Sequence, residues 1–221
     1  MCSFEGTGKS RRNPAEDGKN HLQKGQETVL FFVMAYESIA YTIFYISGRG
    51  KMQNQDKYER IKHTFQPVYD ENSEILILGS FPSVKSREYG FYYGHPQNRF
   101  WKVLGSLYED DANYFVNCSK EEKIEFLLKY HIAIWDVIDE CDIIGSSDSS
   151  IRNVIPSDIK RIVEKSQVKR IFVNGKVAKR LYDKYSYDDV KIEAEVLPST
   201  SPANAASNLE KLVEMWGKIK F

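Results

Sequence analysis

The sequence predicts an α/β fold, a three-layer domain in which helices cover both faces of a central, mostly parallel, four-stranded sheet. From Glu74 onward, short apolar segments alternate with longer segments of helical periodicity. This alternation is typical of a parallel sheet with crossover helices. The apolar segments contain few polar residues and are bounded by turn residues, as expected of strands that are buried on both faces. The length of 221 residues accommodates one such domain and an additional N-terminal segment.

Strands and helices alternate along this part of the chain. Two helix starts are well marked, because Ser119 precedes a turn rich in Glu and Asp158 follows Pro156 and Ser157. Each places a capping side chain where a helix should begin. The predicted strands are Ile75–Leu78, Ile132–Trp135, Arg170–Val173 and Glu193–Leu197. The predicted helices are Asn98–Leu107, Lys120–Tyr130, Ser157–Lys165, Lys176–Lys184 and Asn208–Lys218.

The N-terminal part of the chain does not continue this pattern. Residues 1–27 are polar and without apolar periodicity, so we expect a disordered leader. Residues 28–51 contain the apolar segment Val29–Ile46, with Glu37 near its centre. A central acid costs about 2.5–3.5 kcal/mol on membrane insertion. The segment is compatible with a membrane anchor, with a helix docked on the domain, or with sequence upstream of the working protein. We expect the working domain to comprise residues 52–221.

The composition disfavours several classes of protein. Lys and Arg total 31 and are balanced by 31 Asp and Glu, so no overall field indicates a nucleic-acid or membrane partner. A local basic patch can still hold phosphate groups. The three cysteines, Cys2, Cys118 and Cys141, are scattered and form no Cys-x-x-Cys pair. We therefore expect a reducing compartment, the cytoplasm, and neither a disulfide framework, a bound metal nor another cofactor.

A turn of small or polar residues follows each predicted strand, at Gly79–Ser83, Asp136, Asn174–Lys176 and Pro198–Asn204. Because the carboxyl ends of parallel strands meet at one edge of the sheet, these turns should converge on one ligand site. The chain lacks a P-loop, a GxGxxG loop, an HExxH helix and a GxSxG elbow. The remaining amides, hydroxyls and aromatic rings suit a flat heterocycle that is held by stacking and hydrogen bonds. These side chains are Ser80, Phe81, Phe91, Tyr92, Tyr93, Asn98 and Asn174.

From Glu74 to the C-terminus, the sequence resembles the uracil-DNA glycosylase superfamily, and most closely its hypoxanthine-DNA (deoxyinosine) glycosylase branch. The matching segments, in order, are LILGSFPS, YYGHPQNRFW, IWDVI, GSSDSSI, FVNGK and LPSTSPANA. GSSDSSI and FVNGK are also similar to the mismatch-specific thymine/uracil glycosylases of the same superfamily. The resemblance implies an α/β domain that flips a damaged base out of DNA and hydrolyses its N-glycosidic bond.

The residue that holds the attacking water is expected in a different place from that of the superfamily's uracil enzymes. Those enzymes carry an Asp or Asn in the turn after the first strand, and Gly79–Ser83 contains neither. In the hypoxanthine branch the essential amide lies in an H-P-x-N segment, which is His95–Asn98 here. The resemblance therefore implies that Asn98 orients the water, by position and charge rather than as a base. By spacing alone, Asn98 is also interpretable as the cap of the following helix.

The resemblance also implies a base pocket and a DNA-binding surface. Asp136 lies where related enzymes carry a base-reading polar residue, and it could accept a hydrogen bond from a purine N1–H or simply order the pocket. Structural roles remain open for Asn174 in a turn, Tyr93 in the core and His95 in a loop. The expected pocket residues are Gly79, Ser80, Phe81, Pro82, Tyr93, His95, Asp136 and Asn174. The expected DNA contacts are Ser83, Lys85, Arg99, Lys176, Ser199, Thr200, Ser201, Pro202 and Asn204.

Hypoxanthine is the base that the resemblance implies, with a uracil/thymine mismatch glycosylase of the same superfamily as the alternative. A hydrolase acting on free nucleosides and a non-catalytic module that binds damaged DNA are alternatives from other classes. We expect the protein to act as a monomer on double- or single-stranded DNA, near the nucleoid. No lysine nucleophile stands out in the sequence, so the expected enzyme is monofunctional.

Overall fold

A computed structural model describes residues 57–220 of the chain. Two β-sheets are formed, with helices between most of the strands. The strands are β1 (Glu59–Lys62), β2 (Ile75–Gly79), β3 (Ile132–Asp136), β4 (Ile138–Ile143), β5 (Arg152–Pro156), β6 (Arg170–Asn174) and β7 (Ala194–Leu197). The α-helices are α1 (Val84–Tyr89), α2 (Phe100–Tyr108), α3 (Lys120–Lys129), α4 (Ile159–Glu164), α5 (Lys176–Tyr185), α6 (Tyr187–Val190) and α7 (Leu209–Trp216). Short 3₁₀ helices span Tyr114–Val116, Asp148–Ser150 and Gly217–Ile219.

The central sheet has four parallel strands in the order β3-β2-β6-β7. All four were predicted from the sequence, and the α/β architecture with helices flanking a parallel sheet is confirmed. Every residue of β2 and β3 is buried, which accounts for their almost wholly apolar composition. Three of the strands run one residue further than predicted. Gly79, Asp136 and Asn174 are therefore the last residues of β2, β3 and β6 rather than the turn residues that follow.

The predicted helices are present, with small changes at their ends. At α3, the Ser119 hydroxyl accepts from the Glu122 amide while the Glu122 carboxylate accepts from the Ser119 amide, a complete capping box. Asp158 is the N-cap of α4, so this helix begins at Ile159 rather than at the predicted Ser157. The sequence did not predict α1, which the side chain of Ser83 caps.

A second sheet, of three antiparallel strands in the order β1-β4-β5, was missed. β1 and β5 are largely exposed, and the buried residues of β4 are interrupted by three partly buried acids, so these strands lack the apolar runs by which buried strands are recognised. β4 follows β3 with only Val137 between them. The backbone amide of Val137 donates to the carbonyl of Gly79, at 2.9 Å, so the path of β4 starts at the end of β2.

The topology places a ligand site at the carboxyl end of β2. β2 lies between β3 and β6, and the chain passes from β2 to β3 on one side and later crosses to β6 on the other. In open α/β sheets, ligands bind in the crevice outside the carboxyl ends of the strands where the strand order reverses. Gly79, Asp136 and Asn174 end the three strands at this edge.

None of the helices within residues 57–220 is long and apolar enough to cross a bilayer. The predictions for residues 1–27 and 28–51, including the apolar segment 29–46, lie outside the described residues.

We propose that residues 52–221 fold and act without residues 1–51. A chain that begins at residue 52 should melt at the same temperature as the full chain. A chain that begins at residue 66 should melt well below it, because it lacks β1 and the buried His63, which is 9% exposed. Thermal unfolding followed by circular dichroism checks both. If the chain that begins at residue 52 melted below the full chain, residues 1–51 would belong to the working protein.

Candidate active site

A cavity of about 480 Å³ opens at the carboxyl end of β2. It brings together residues from the first-strand turn, the segment before α2, the ends of β3 and β6, and the loop after β7. The predicted residues that line it are Gly79, Ser80, Phe81, Pro82, Ser83, Lys85, Tyr93, His95, Asn98, Asp136, Asn174, Ser199, Ser201 and Pro202. The predicted residues that do not line it are Arg99, Lys176, Thr200 and Asn204.

Asn98 both lines the cavity and supports the start of α2. Its Oδ1 accepts a hydrogen bond from the Phe100 amide at 3.0 Å, while Arg99 occupies the N-cap position without a side-chain cap. Asn98 therefore supports the start of the helix, as the spacing suggested, although it lies one residue before the N-cap position. A carbonyl oxygen has two lone pairs, so Oδ1 can accept one more hydrogen bond from within the cavity.

Phe81 and Tyr93 are the predicted aromatic residues of the cavity, which Phe65 and Tyr92 also line. Tyr93 stacks on Phe100, with ring centroids 4.0 Å apart. Its backbone has φ of 52°, a left-handed conformation that is uncommon for a residue with a side chain. Its hydroxyl is buried and has no hydrogen-bond partner among residues 57–220. Burial, and next the negative charge of Asp136, raise the pKa of Tyr93 far above its usual range, so the hydroxyl keeps its proton.

Asp136 is held by a residue that the sequence did not single out. Its Oδ2 lies 2.9 Å from Nε2 of His63, and both side chains are almost completely buried, at 6% and 1% exposure. His63 follows β1, the edge strand of the second sheet. No motif marked His63, because it lies before the segments that carry the family resemblance. A buried polar pair of this kind is visible only once the two sheets are assembled.

A second carboxylate in the cavity, Asp148, was also missed as a site residue, although its motif GSSDSSI was noted. The Ser80 hydroxyl donates to Asp148 Oδ1 at 2.9 Å. Burial raises the pKa of the Asp148 carboxyl, the Ser80 hydrogen bond partly counteracts this, and the charge of Asp136 adds to it. Further lining residues that were not predicted are Phe65, Val84, Ser86, Ile143, Ser146 and Ala203.

Asn174 fixes the loop after β7. Its Oδ1 accepts from the Thr200 amide and its Nδ2 donates to the Thr200 hydroxyl, both at 2.9 Å. Thr200 is fully buried, so its side chain serves this contact and is not on a surface that DNA could reach. Asn204 donates from Nδ2 to the carbonyl of Ser199, which closes the loop on itself. The loop is thus held in shape before any ligand binds.

Arg99 is the second anchor of the same loop. Its guanidinium donates to the carbonyls of Thr200, Ser201, Asn204 and Ser207. The sequence had suggested that Arg99 contacts a DNA phosphate group. Its donors are instead occupied by the backbone of this loop. Of the predicted cationic DNA contacts, Lys85, which lines the cavity, and Lys176, at the start of α5, are exposed.

His95 and Tyr92 also have defined hydrogen bonds. The Gln97 amide donates to His95 Nδ1 at 3.1 Å, so the neutral ring carries its proton on Nε2. The Tyr92 hydroxyl donates to the carbonyl of Gln66, and the residue is 2% exposed. Tyr92 is therefore mainly a core residue. Within residues 57–220, no group of three or more His, Cys, Asp or Glu side chains is arranged to hold a metal ion.

Gly79 is the residue that allows the Asp136 carboxylate to approach β2. A methyl group at this position would lie 2.1 Å from Asp136 Oδ1 and 3.2 Å from the Tyr93 hydroxyl. We expect Gly79→Ala to lower the free energy of unfolding by about 1–3 kcal/mol, the usual cost of overpacking. Denaturant unfolding measures this. Gly217→Ala is the matched control, because its methyl group would meet nothing within 4 Å. Equal stability of the two variants would contradict the close approach.

Asp148 should make stability depend on pH. Its raised pKa means that the folded chain binds this proton more tightly than the unfolded chain does. The resulting stabilisation is present below the unfolded pKa, near 3.9, and is lost as pH rises through the higher folded pKa. The unfolding free energy of the wild type, relative to Asp148→Asn, should therefore fall between about pH 3 and about pH 6.

Asp142 provides the control of opposite sign. A hydrogen bond from Asn153, and next the charge of Arg60, lower the pKa of Asp142. The unfolding free energy of the wild type, relative to Asp142→Asn, should therefore rise over the same pH range. Denaturant unfolding of the three proteins at several pH values measures both slopes. Slopes of the same sign would be inconsistent with these two environments.

Comparisons with known proteins agree with this architecture. A family model described as the uracil DNA glycosylase superfamily matches residues 66–220. A Methanosarcina barkeri protein named hypoxanthine DNA glycosylase is 32% identical over 66% of this chain and 90% of its own length. A Methanosarcina acetivorans protein of the same name is 36% identical over 65% of this chain and 89% of its own length.

A solved structure extends the comparison to the fold. The solution NMR structure of a candidate uracil DNA glycosylase from Methanosarcina acetivorans is similar, with a TM-score of 0.61 and 33% identity. The match covers 73% of this chain and 96% of that protein. The order of strands, the cavity at the end of β2 and these matches lead to one conclusion: the chain belongs to the uracil DNA glycosylase superfamily.

Proposed function

We propose that the protein is a monofunctional DNA glycosylase, which flips hypoxanthine out of DNA and hydrolyses its N-glycosidic bond to leave an abasic site. Family membership supports the reaction class. The two Methanosarcina relatives, both named hypoxanthine DNA glycosylase, support the choice of base. Extruding a base costs a few kcal/mol, and least for a mismatched or deaminated base, which contributes to selectivity.

The observation that carries the proposal is that Asn98 lines the same cavity as several aromatic side chains. The cavity of about 480 Å³ is within the range of small-ligand sites. Phe81 and Tyr93 provide ring surfaces on which a base can stack. A cavity of this volume and lining suits a base that has been flipped out of a DNA strand.

In this proposal Asn98 orients the water that attacks C1′ of the flipped nucleotide. One lone pair of Oδ1 is taken by the Phe100 amide, which fixes the side chain, and the other is available to the water. Fixed groups of this kind stabilise developing charge without reorganising. His95 lines the same cavity with Nε2 as its protonated ring nitrogen, so it is placed to donate to the departing base.

The DNA strand is proposed to lie against the loop after β7. Ser199, Ser201 and Pro202 of this loop line the cavity mouth. Its small side chains and backbone groups suit contacts with the sugar–phosphate backbone, and Arg99 keeps it in place. Exposed Lys85 and Lys176 are proposed phosphate contacts. Because the overall charge is balanced, binding should rest on such local contacts, and a monomer suffices.

A covalent lysine intermediate is not part of the proposal. Lys85 is the lysine that lines the cavity, and its Nζ is ion-paired with Glu88 at 2.7 Å. Both side chains of this pair are more than half exposed, so Lys85 lacks the burial or the neighbouring cation by which an enzyme activates a lysine nucleophile. DNA strands should therefore remain intact after base release until alkali is added.

The central test is a panel of DNA duplexes, each containing one hypoxanthine, uracil, xanthine or mismatched thymine, treated with alkali after incubation. The wild type should release hypoxanthine fastest. Asn98→Ala should lower the single-turnover rate by about 10²–10³-fold, the usual effect of removing one positioned polar group. Turnover of free inosine without cleavage of DNA would instead indicate a nucleoside hydrolase. Binding of damaged DNA without base release would indicate a non-catalytic module.

A matched variant separates catalysis from capping. Asn98→Ser keeps a side-chain oxygen that can accept from the Phe100 amide, whereas Asn98→Ala removes it. Only the alanine variant should lose stability, by about 0.5–2 kcal/mol, but both should lose excision. If Asn98→Ser keeps both stability and excision while Asn98→Ala loses both, Asn98 acts only as a helix cap.

A further inference from the structure

We propose that His63 is a positioning residue that makes Asp136 a fixed hydrogen-bond acceptor for the ring N–H of a deaminated base. This inference rests on the proposed function and deepens it. The resemblance had already implied a base-reading role for Asp136; the new element is His63, through which the second sheet contributes to the site. His63 lies before the matched family segment, at the end of β1.

The hydrogen bond between His63 and Asp136 runs from the histidine to the carboxylate. The Phe65 amide lies 3.4 Å from His63 Nδ1 and donates to it, so this nitrogen carries a lone pair. The ring proton is then on Nε2, which donates to Asp136 Oδ2 at 2.9 Å. This hydrogen bond occupies Oδ2, so Oδ1 is the oxygen of Asp136 that can act as an acceptor for a ligand.

The other oxygen of Asp136, Oδ1, has no hydrogen-bond partner in the described part of the chain. Oδ1 lies against Gly79, where a side-chain carbon would be only 2.1 Å away. Asp136 nevertheless lines the cavity. A buried carboxylate that is anchored through one oxygen thus presents the other, as a pure acceptor, to the cavity.

Normal and deaminated bases differ in the hydrogen-bond polarity of one ring nitrogen. Deamination converts adenine to hypoxanthine and changes ring atom N1 from a lone-pair acceptor to an N–H donor. The same change occurs at N3 when cytosine becomes uracil. A fixed acceptor therefore favours the deaminated base and repels the lone pair of the normal one. A site built around one hydrogen-bond polarity discriminates strongly, because the wrong partner leaves a buried group unpaired.

The Tyr93 hydroxyl offers the complementary group. A methyl group on Gly79 would lie 3.2 Å from this hydroxyl and 2.1 Å from Asp136 Oδ1, so both atoms are close to Gly79, and the hydroxyl has no hydrogen-bond partner in the described part of the chain. Deamination also replaces the exocyclic amino group with a carbonyl oxygen, which is an acceptor. An acceptor and a donor side by side match the N–H and C=O of a lactam edge.

The test measures base preference rather than rate. In the Asn98→Ala background, which suppresses excision, affinities are measured for two single-stranded oligonucleotides that differ only in one hypoxanthine or adenine. Single strands remove differences in base pairing. We expect a preference for hypoxanthine of about 10–10²-fold, the effect of a hydrogen bond to a charged group. Addition of Asp136→Asn should abolish or reverse the preference, because His63 would hold the amide oxygen and turn its NH₂ into the cavity.

Variants of His63 test its positioning role. His63→Gln retains an N–H near the position of Nε2 and should keep the preference, whereas His63→Leu should lose it. Because each ratio compares two ligands of one protein, partial unfolding alone does not change it. A preference that survives both Asp136→Asn and His63→Leu would overturn the proposal. Failure of the wild type to release hypoxanthine from DNA would instead overturn the proposed function, so the two failures are distinguishable.

Discussion

The pairing of β2 with β3 is the interaction on which the rest of the structure depends. Its parallel register sets Gly79 opposite Asp136 at the end of both strands. Because Gly79 has no side chain, the carboxylate can lie against the strand, and the chain then passes directly into β4. β4 pairs with β1, and the amide of His63 donates to the carbonyl of Asp139 as this pairing ends. A single strand end therefore links the two sheets and brings the buried histidine to the carboxylate.

The sequence predicted the parallel sheet because its strands are buried on both faces, and it predicted most of the cavity because strand ends carry small and polar residues. It could not predict the second sheet. β1 and β5 are short and largely exposed, and β4 carries three acids, so these strands give no clear local signal and their pairing is a tertiary effect. For the same reason it missed His63, whose role depends on a contact across 73 residues. For Asn98, the spacing suggested a helix cap and the motif a water-orienting role; the structure shows the hydrogen bond to the Phe100 amide, and the second role stays a prediction.

The loop after β7 shows how a chain without net charge can be arranged to bind a polyanion. Arg99 uses its charge inside the protein, on backbone carbonyls of this loop, and Asn174 holds the loop from the opposite side. A strand passing the cavity mouth would meet small side chains and backbone groups that are already ordered. Little conformational entropy would then be lost on binding, which compensates in part for a weak long-range field.

The separation in sequence between the parts of the cavity has a consequence for how the protein is made. Arg99 reaches the carbonyl of Ser207 across 108 residues, and Asn174 needs Thr200. Neither contact can form before the loop after β7 has been synthesised, and contacts of long range are also slow to close. A growing chain can pair β2 with β3 and bury its first aromatic residues, but it has no loop against which DNA could lie. The pocket is thus completed only after this loop has been added to the chain.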